Sequence, residues 1–281
     1  MSTTFNATIQ QTATTYHEAH EYVQNPIHPL TVCLIGAGGT GCRMLTHLAL
    51  MNQALIGLGR KGLHVTVYDD DIVSASNIAR QLYSPSDIGL PKSAVIVQRT
   101  NRFYGTDWRY KVERITGAVP GNIIITCVDT KSARRVVERS TFGTRRRMDV
   151  HEEQNLYWLD CGNSKDTGQV ILSTRYKCLK GSKQYLPGPS ELYPRIFKGK
   201  EDNAPSCSVA EALAQQDLFI NPTIALIGAQ LLFRLINERR VDNQGAFVNL
   251  STLAVRKIPL PARSITEVNQ VPEAQGKILV G

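Results

Sequence analysis

What this sequence is short of sets its first bounds. Its six cysteines, Cys33, Cys42, Cys127, Cys161, Cys178 and Cys207, form no CxxC pair and share no regular spacing. That argues against a zinc site and against a disulfide framework. Cys33 and Cys127 fall inside apolar strand patterns and read as core thiols. No apolar run reaches membrane-spanning length; the longest, Ile224 to Ile236, is broken by Gln230 and Arg234. The first residues show no basic stretch followed by an apolar core, so no secretory signal is read and the expected location is the cytoplasm, away from any membrane. There is no internal repeat, and Met1 to Pro29 hold neither Lys nor Arg.

The rest of the composition is that of an ordinary globular chain. An apolar share of 42% and a charged share of 20% over 281 residues suit one large α/β domain or a domain with an appendage. Basic residues exceed acidic ones by 32 to 24, giving a formal charge of +8. This excess favours acidic partners or nucleic acid electrostatically and has no bearing on the fold. The run Arg145, Arg146, Arg147 reads first as a solvated face, with an acidic protein partner or DNA as the alternatives.

The stretch that dictates most is Thr31 to Gly41, TVCLIGAGGTG. Val32, Cys33, Leu34 and Ile35 suit a strand buried on both faces of a parallel sheet. Gly36, Gly38 and Gly41, with Gly39 between them, allow a tight turn, a close approach of the main chain to a phosphate, and close packing of the following helix. That helix is expected to start near Thr40, with Met44, Leu45, Leu48 and Ala49 on one face. Its first amides would then face an anion.

Along the chain, residues 1–29 read as an N-terminal arm, helical over Thr15 to Gln24. Residues 30–260 form the main domain, and 261–281 a polar tail. Strands are expected over Leu63–Tyr68, Lys111–Ile115, Asn122–Val128, Leu156–Asp160 and Gly168–Ser173, with a last hairpin from Ala246–Leu250 and Leu253–Ile258. Helices are expected over Ser93–Phe103, Lys131–Arg139, Val209–Ala214 and Asn221–Asn237. Pro91 suits the start of the first of these. Residues 176–206, rich in Gly, Pro, Lys and Ser, read as a long crossover loop of functional rather than spacing use. The fold class is therefore α/β: a Rossmann-like, mostly parallel sheet with flanking helices.

In such a sheet ligands gather at the carboxyl ends of the strands. Three strands here end at Gly36, Asp69 and Asp129, which would converge on one crevice. Asp69 is placed to accept from both ribose hydroxyls. A nicotinamide-dependent oxidoreductase needs only this much. Arg80 and Lys92 go further: two cations beside a phosphate-binding turn suit phosphoryl or nucleotidyl transfer, with Asp129 as a Mg²⁺ ligand. Each has a plainer reading. Asp70 is a solvated loop acid, Arg80 and Lys92 taken singly are surface charges, and Asp129 competes as a helix N-cap.

The blocks GAGGTG, YDDDIVSASNIARQ, DIGLPKSA and TCVDTKSAR, in this order, resemble the adenylation domain of the ThiF/MoeB/ubiquitin-activating family. Within it, the chain is similar to the ThiF-like component of plasmid-associated PRTRC systems. The resemblance implies that Asp69 and Asp71 belong to the nucleotide site and that Asn77, Arg80 and Gln81 line the phosphates. It further implies that Lys92 neutralises transition-state charge, Asp129 holds Mg²⁺, and Arg134 lies near the adenine. The implied activity is ATP-dependent adenylation of the C-terminal carboxylate of a small β-grasp, ubiquitin-like or sulfur-carrier protein, by a homodimer. Cys207, in APSCSVAEAL, stands where relatives carry a thiol that takes over the activated partner; a helix N-terminus there would lower its pKa. Two features depart from the family pattern: the paired CxxC motifs are missing, and the N-terminal arm has no arginine to lend to a neighbouring subunit. A non-catalytic nucleotide-binding scaffold is therefore kept as an alternative beside the oxidoreductase.

Overall fold

The computed structural model describes residues 16–78, 80–142, 155–174, 185–196 and 216–261. Cys178, Cys207, the arginine run 145–147, the expected helix Val209–Ala214 and most of the crossover loop lie outside the described residues. The elements are β1 (His17–Glu18), α1 (Glu21–Gln24), β2 (Leu30–Ile35), α2 (Gly39–Gly57), β3 (Leu63–Tyr68), α3 (Lys92–Tyr104), β4 (Arg109–Lys111), β5 (Ile123–Thr126), α4 (Lys131–Val137), β6 (Tyr157–Asn163), β7 (Thr167–Thr174), α5 (Pro189–Leu192), α6 (Ile220–Asn237), β8 (Arg240–Val241), β9 (Asn243–Asn249) and β10 (Ala254–Pro259).

Eight strands form one sheet in the order β10-β9-β7-β6-β5-β2-β3-β4. From β4 to β6 the pairings are parallel, while β6 with β7, β7 with β9 and β9 with β10 are antiparallel. The parallel half is apolar on both faces because helices or loops cover each side. On one face Leu34, Val65, Val67 and Leu159 pack under α2, α3 and α6; on the other Cys33, Ile35, Tyr68, Ile124 and Trp158 pack with Val137 of α4. The last hairpin forms as expected, Ala254 opposite Asn249.

Helices α2 and α6 lie side by side with their N-termini at the same end of the sheet. Gly228 of α6 has no side chain because Met44 of α2 and Cys161 of β6 fill that space. At the far end Arg60 donates from Nη1 to the Ile236 carbonyl at 2.7 Å and from Nη2 to the Asn237 carbonyl at 2.9 Å, capping carbonyls the helix leaves open. By length and composition α6 would suffice to cross a bilayer, yet over half of it is buried within the protein.

Several expectations need correcting. Among the described residues of the arm, only Glu21–Gln24 is helical; before it, His17–Glu18 pairs with Arg240–Val241, and His17 Nε2 lies 3.0 Å from the buried Tyr157 hydroxyl. The strand expected at Lys111–Ile115 is instead Arg109–Lys111, because Lys111 pairs with Tyr68, the last residue of β3. The strand expected to run from Asn122 to Val128 is regular only over Ile123–Thr126, and α4 stops at Val137 before a wider turn of helix over Glu138–Phe142. Cys127 is half-buried rather than a full core residue.

Candidate nucleotide-binding site

The glycine turn is bolted from three sides. Gly36 takes φ +96°, and its amide donates to the Tyr68 carbonyl of β3 at 2.8 Å. A Cβ on it would meet the Cys127 carbonyl oxygen at 2.6 Å, so the turn leaving β5 presses directly against the glycine loop. At Gly41 an added Cβ would lie 1.8 Å from the Gly36 carbonyl oxygen, and at Gly39 it would strike the Asn221 side chain at 2.6 Å. Gly38 differs, since nothing among the described residues lies within 4 Å of where its Cβ would be. Packing therefore explains the lack of a side chain at 36, 39 and 41 but not at 38. What remains for Gly38 is open space at the N-terminus of α2, a cradle of amides for an anion.

Asp69 stands one residue past β3. Its Oδ2 accepts from the Ala37 amide at 2.5 Å and its Oδ1 from the Asp71 amide at 2.8 Å. Burial raises its pKa, against the lowering effect of those two bonds. A carboxylate with two amide donors retains further lone pairs, so Asp69 is both a brace of the loop and still able to accept from hydroxyls. Tyr83 adds a second brace, its hydroxyl donating to the Ala37 carbonyl at 2.7 Å and to the Lys92 carbonyl at 3.3 Å.

Lys92, in the first turn of α3, is 7% exposed, and its ammonium pairs with Asp71 Oδ2 at 2.8 Å. Its own amide donates to the Asp71 carbonyl at 2.9 Å. Asp70 points outward to Arg114 at 3.3 Å. Asp69, Asp70 and Asp71 lie close enough together to hold a cation in principle, but each carboxylate already has a partner.

The Ser-Asn-x-x-Arg-Gln block forms a short turn of helix over Ala75–Asn77. Asn77 Oδ1 accepts from the Ser74 amide at 2.9 Å, so this side chain is spent on the turn itself. Arg80 donates from Nη1 to Gln216 Oε1 at 2.9 Å, while its Nε is buried without a partner, and burial lowers its pKa. Gln81 Oε1 is also buried and unpartnered.

Asp129 is exposed and does not cap α4; Thr130 does, its hydroxyl accepting from the Ala133 amide at 3.3 Å. The competing N-cap reading of Asp129 is thereby overturned. Arg134 turns into the protein: it is 7% exposed, its Nε lies 3.2 Å from Asp160 Oδ1, and its Nη2 donates to the Val128 carbonyl at 2.6 Å. Thr126 donates to the same Asp160 oxygen at 2.6 Å and accepts from Trp158 Nε1 at 2.9 Å. Arg134 thus ties the turn that presents Asp129 to the next strand.

Sequence reasoning missed Tyr83, Asp160, Gln216 and Asn221. Asp160 left a trace, as an acid in the otherwise buried run YWLDCGN. So did Asn221, a fully polar residue at the head of an apolar helix. Cys42 is buried in the first turn of α2. Burial pushes its thiol up to about 11, outweighing the Leu82 amide bond.

A family model described as "ThiF family" matches residues 11–266. The ubiquitin-like modifier-activating enzyme 6 of Mus musculus is 34% identical over 124 residues, which is 39% of this chain and 11% of that protein. The ubiquitin-like modifier-activating enzyme 1 of Dictyostelium discoideum is 47% identical over 73 residues, 25% of this chain and 7% of that protein. The chain thus spans about a tenth of the length of these relatives. Among solved structures, the E. coli MccB complex with ATP superposes with a TM-score of 0.55 at 13% identity, over 86% of this chain and 67% of that one. PaaA superposes with a TM-score of 0.55 at 15% identity, over 82% and 64%. At such identities the structural likeness concerns the fold, a ThiF-type Rossmann-like sheet.

Proposed function

The chain belongs to the ThiF family, and from that membership and the geometry of the site we propose that it adenylates the C-terminal carboxylate of a small β-grasp, ubiquitin-like or sulfur-carrier protein, using ATP. The observation that carries this reading is Gly38, at the head of α2, where an added Cβ would meet nothing within 4 Å among the described residues. On this reading the Asp69 carboxylate, the Lys92 ammonium and the Arg80 guanidinium act beside it. The relatives named as ubiquitin-activating enzymes and the solved MccB complexes with ATP and with MccA support the same chemistry.

On this reading the amides of Ala37 to Gly39 and Arg80 bind the phosphates, and Asp69 takes the ribose. Asn77, Gln81 and Asp71 complete the walls, and Arg134 acts from behind. Asp129 would hold Mg²⁺, which supplies charge neutralisation to the triphosphate. The partner's carboxylate is already ionised at neutral pH, so no base is needed. One carboxylate oxygen attacks the α-phosphorus, the bond to the bridging oxygen breaks, and pyrophosphate leaves with its electron pair. The product is an acyl-adenylate. Lys92 and Arg80 stabilise the charge that moves onto the leaving oxygens. Cys207 is proposed to take the acyl group next: its thiolate attacks the carbonyl carbon and AMP departs. A homodimer in the cytoplasm is part of the same proposal.

ATP–pyrophosphate exchange in the presence of a β-grasp protein ending in Gly tests the reading. Exchange is expected, and Arg80→Ala and Asp129→Ala are each expected to abolish it. Absence of exchange, or exchange untouched by both substitutions, overturns the enzyme in favour of a scaffold. A bound dinucleotide in place of ATP favours the oxidoreductase, which Asp69 alone would suit. A reductant-sensitive adduct with the partner is expected to disappear in Cys207→Ala; an undiminished adduct assigns the transfer to another residue.

A further inference from the structure

Arg80 is the one proposed phosphate ligand whose guanidinium meets a neutral partner. Its Nη1 donates to Gln216 Oε1 at 2.9 Å, and the same oxygen accepts from Asn221 Nδ2, also at 2.9 Å. Both neighbours are donors, so the oxygen of Gln216, not its nitrogen, must face them. Asn221 is 4% exposed and is itself fixed: its Oδ1 accepts from Thr40 in the first turn of α2 at 2.9 Å, and its side chain fills the space that a Cβ on Gly39 would need. Thr40 also reaches Asn163 at the end of β6, at 3.2 Å. A continuous chain of contacts therefore runs from the glycine loop through Asn221 and Gln216 to Arg80.

We propose that Gln216 is a positioning residue: its amide oxygen aims the Arg80 guanidinium at the phosphates while leaving the positive charge unspent. This rests on the adenylation reading given above. An amide is the suitable group. A carboxylate at 216 would accept from both donors equally well, but would pair with Arg80 as an ion and compete with phosphate for it. Nothing at 216 would leave the arginine's rotamers free, and ordering them on binding costs affinity.

The test is a titration of the full chain with ATP and Mg²⁺ by calorimetry, comparing wild type with Gln216→Ala, Gln216→Glu, Arg80→Ala and the two double variants, each first checked for an unchanged melting temperature. Gln216→Ala is expected to weaken ATP binding by roughly fivefold to tenfold, the scale of one net hydrogen bond. Gln216→Glu is expected to weaken it more than Gln216→Ala. In the Arg80→Ala background neither change should cost anything further. A purely structural role predicts the reverse order, since Glu preserves both hydrogen bonds. Wild-type affinity in Gln216→Glu, or losses that persist undiminished without Arg80, overturns the positioning role even while Arg80→Ala remains defective. Wild-type affinity in Arg80→Ala overturns the phosphate role of Arg80, and this inference with it.

Discussion

Alanine substitution at two glycines of one loop should separate binding from folding. At Gly38 the backbone has φ −74°, a value any residue adopts, and no atom of the described residues lies within 4 Å of the would-be methyl group. The folded state loses nothing, and the unfolded chain loses some freedom, which stabilises a protein by about 0.4–1 kcal/mol. The melting temperature should stay level or rise by up to about 3 °C. Nucleotide binding should behave otherwise. A phosphate oxygen bonded to loop amides sits about 2.9 Å from nitrogen, and a methyl group in that space forces it outward by about an ångström. One or two charge-assisted bonds, worth about 1.5–3 kcal/mol each, are then lost. At about 1.4 kcal/mol per decade, the Kd for ATP should rise at least tenfold. Gly41→Ala is the control: its methyl group would stand 1.8 Å from the Gly36 carbonyl oxygen, so the turn itself must break and the protein should fail to fold. The measurements are differential scanning fluorimetry and ATP calorimetry on the same samples. Gly38→Ala that binds ATP within threefold of wild type would refute the claim that the main chain approaches a phosphate there.

Asp129→Asn should leave the urea midpoint where it is, because the side chain is exposed and Thr130 caps α4; Mg²⁺-dependent pyrophosphate exchange should fall by at least tenfold, read against a Mg²⁺ titration. Arg134→Ala strands Asp160, which is 0% exposed, and should cost about 3–5 kcal/mol in urea unfolding, whereas the apolar pair Arg134→Met with Asp160→Leu should recover much of that loss. Burial would raise the Asp87 pKa, but the Ser84 amide and hydroxyl and the Arg99 guanidinium at 2.7 Å outweigh it and hold the carboxyl below its usual value. A folded-state pKa below the unfolded one gives stability above the ordinary carboxylate pKa of about 3.9, lost as pH falls through the lower folded value. Asp87→Asn should therefore melt below wild type at pH 7, and the gap should close in acid; a gap that persists undiminished at pH 2 contradicts the assignment.

The parts of this fold that could be read from sequence are those whose requirements are local. β2, the glycine turn and α2 follow one another without a gap, so much of their shape is set within one stretch of chain. Asp69 and Lys92 were legible for the same reason, as a strand end and a helix start. What escaped depends on strands meeting in space. β4 is three residues long and exists because Lys111 pairs with Tyr68. β1 exists because His17–Glu18 pairs with Arg240–Val241, far along the chain. Arg134 could be flagged as a family arginine, but its ion pair with Asp160 appears only once β6 lies beside β5. Gln216 carried no pattern at all; its role depends on where Asn221 stands relative to Gly39.

The charged groups of the proposed site are already occupied within the chain, and the form of that occupation bears on what a ligand must do. The Lys92 side chain is 8% exposed while that of Asp71 is 60% exposed, so the cation is held by the fold and the acid is its outer, solvent-facing partner. The cost of drawing an ammonium out of water is thus met when the protein folds, not when a nucleotide arrives. A phosphate oxygen that replaces Asp71 exchanges one ion pair for another, and the carboxylate it displaces returns to solvent at little cost. Arg80 needs no such exchange, because its partner is an amide oxygen. On the proposed reading the two cations therefore contribute differently: Arg80 attracts the triphosphate on arrival, and Lys92 responds once negative charge builds beyond what Asp71 offered. That division explains why one cation in the crevice faces a carboxylate and the other does not.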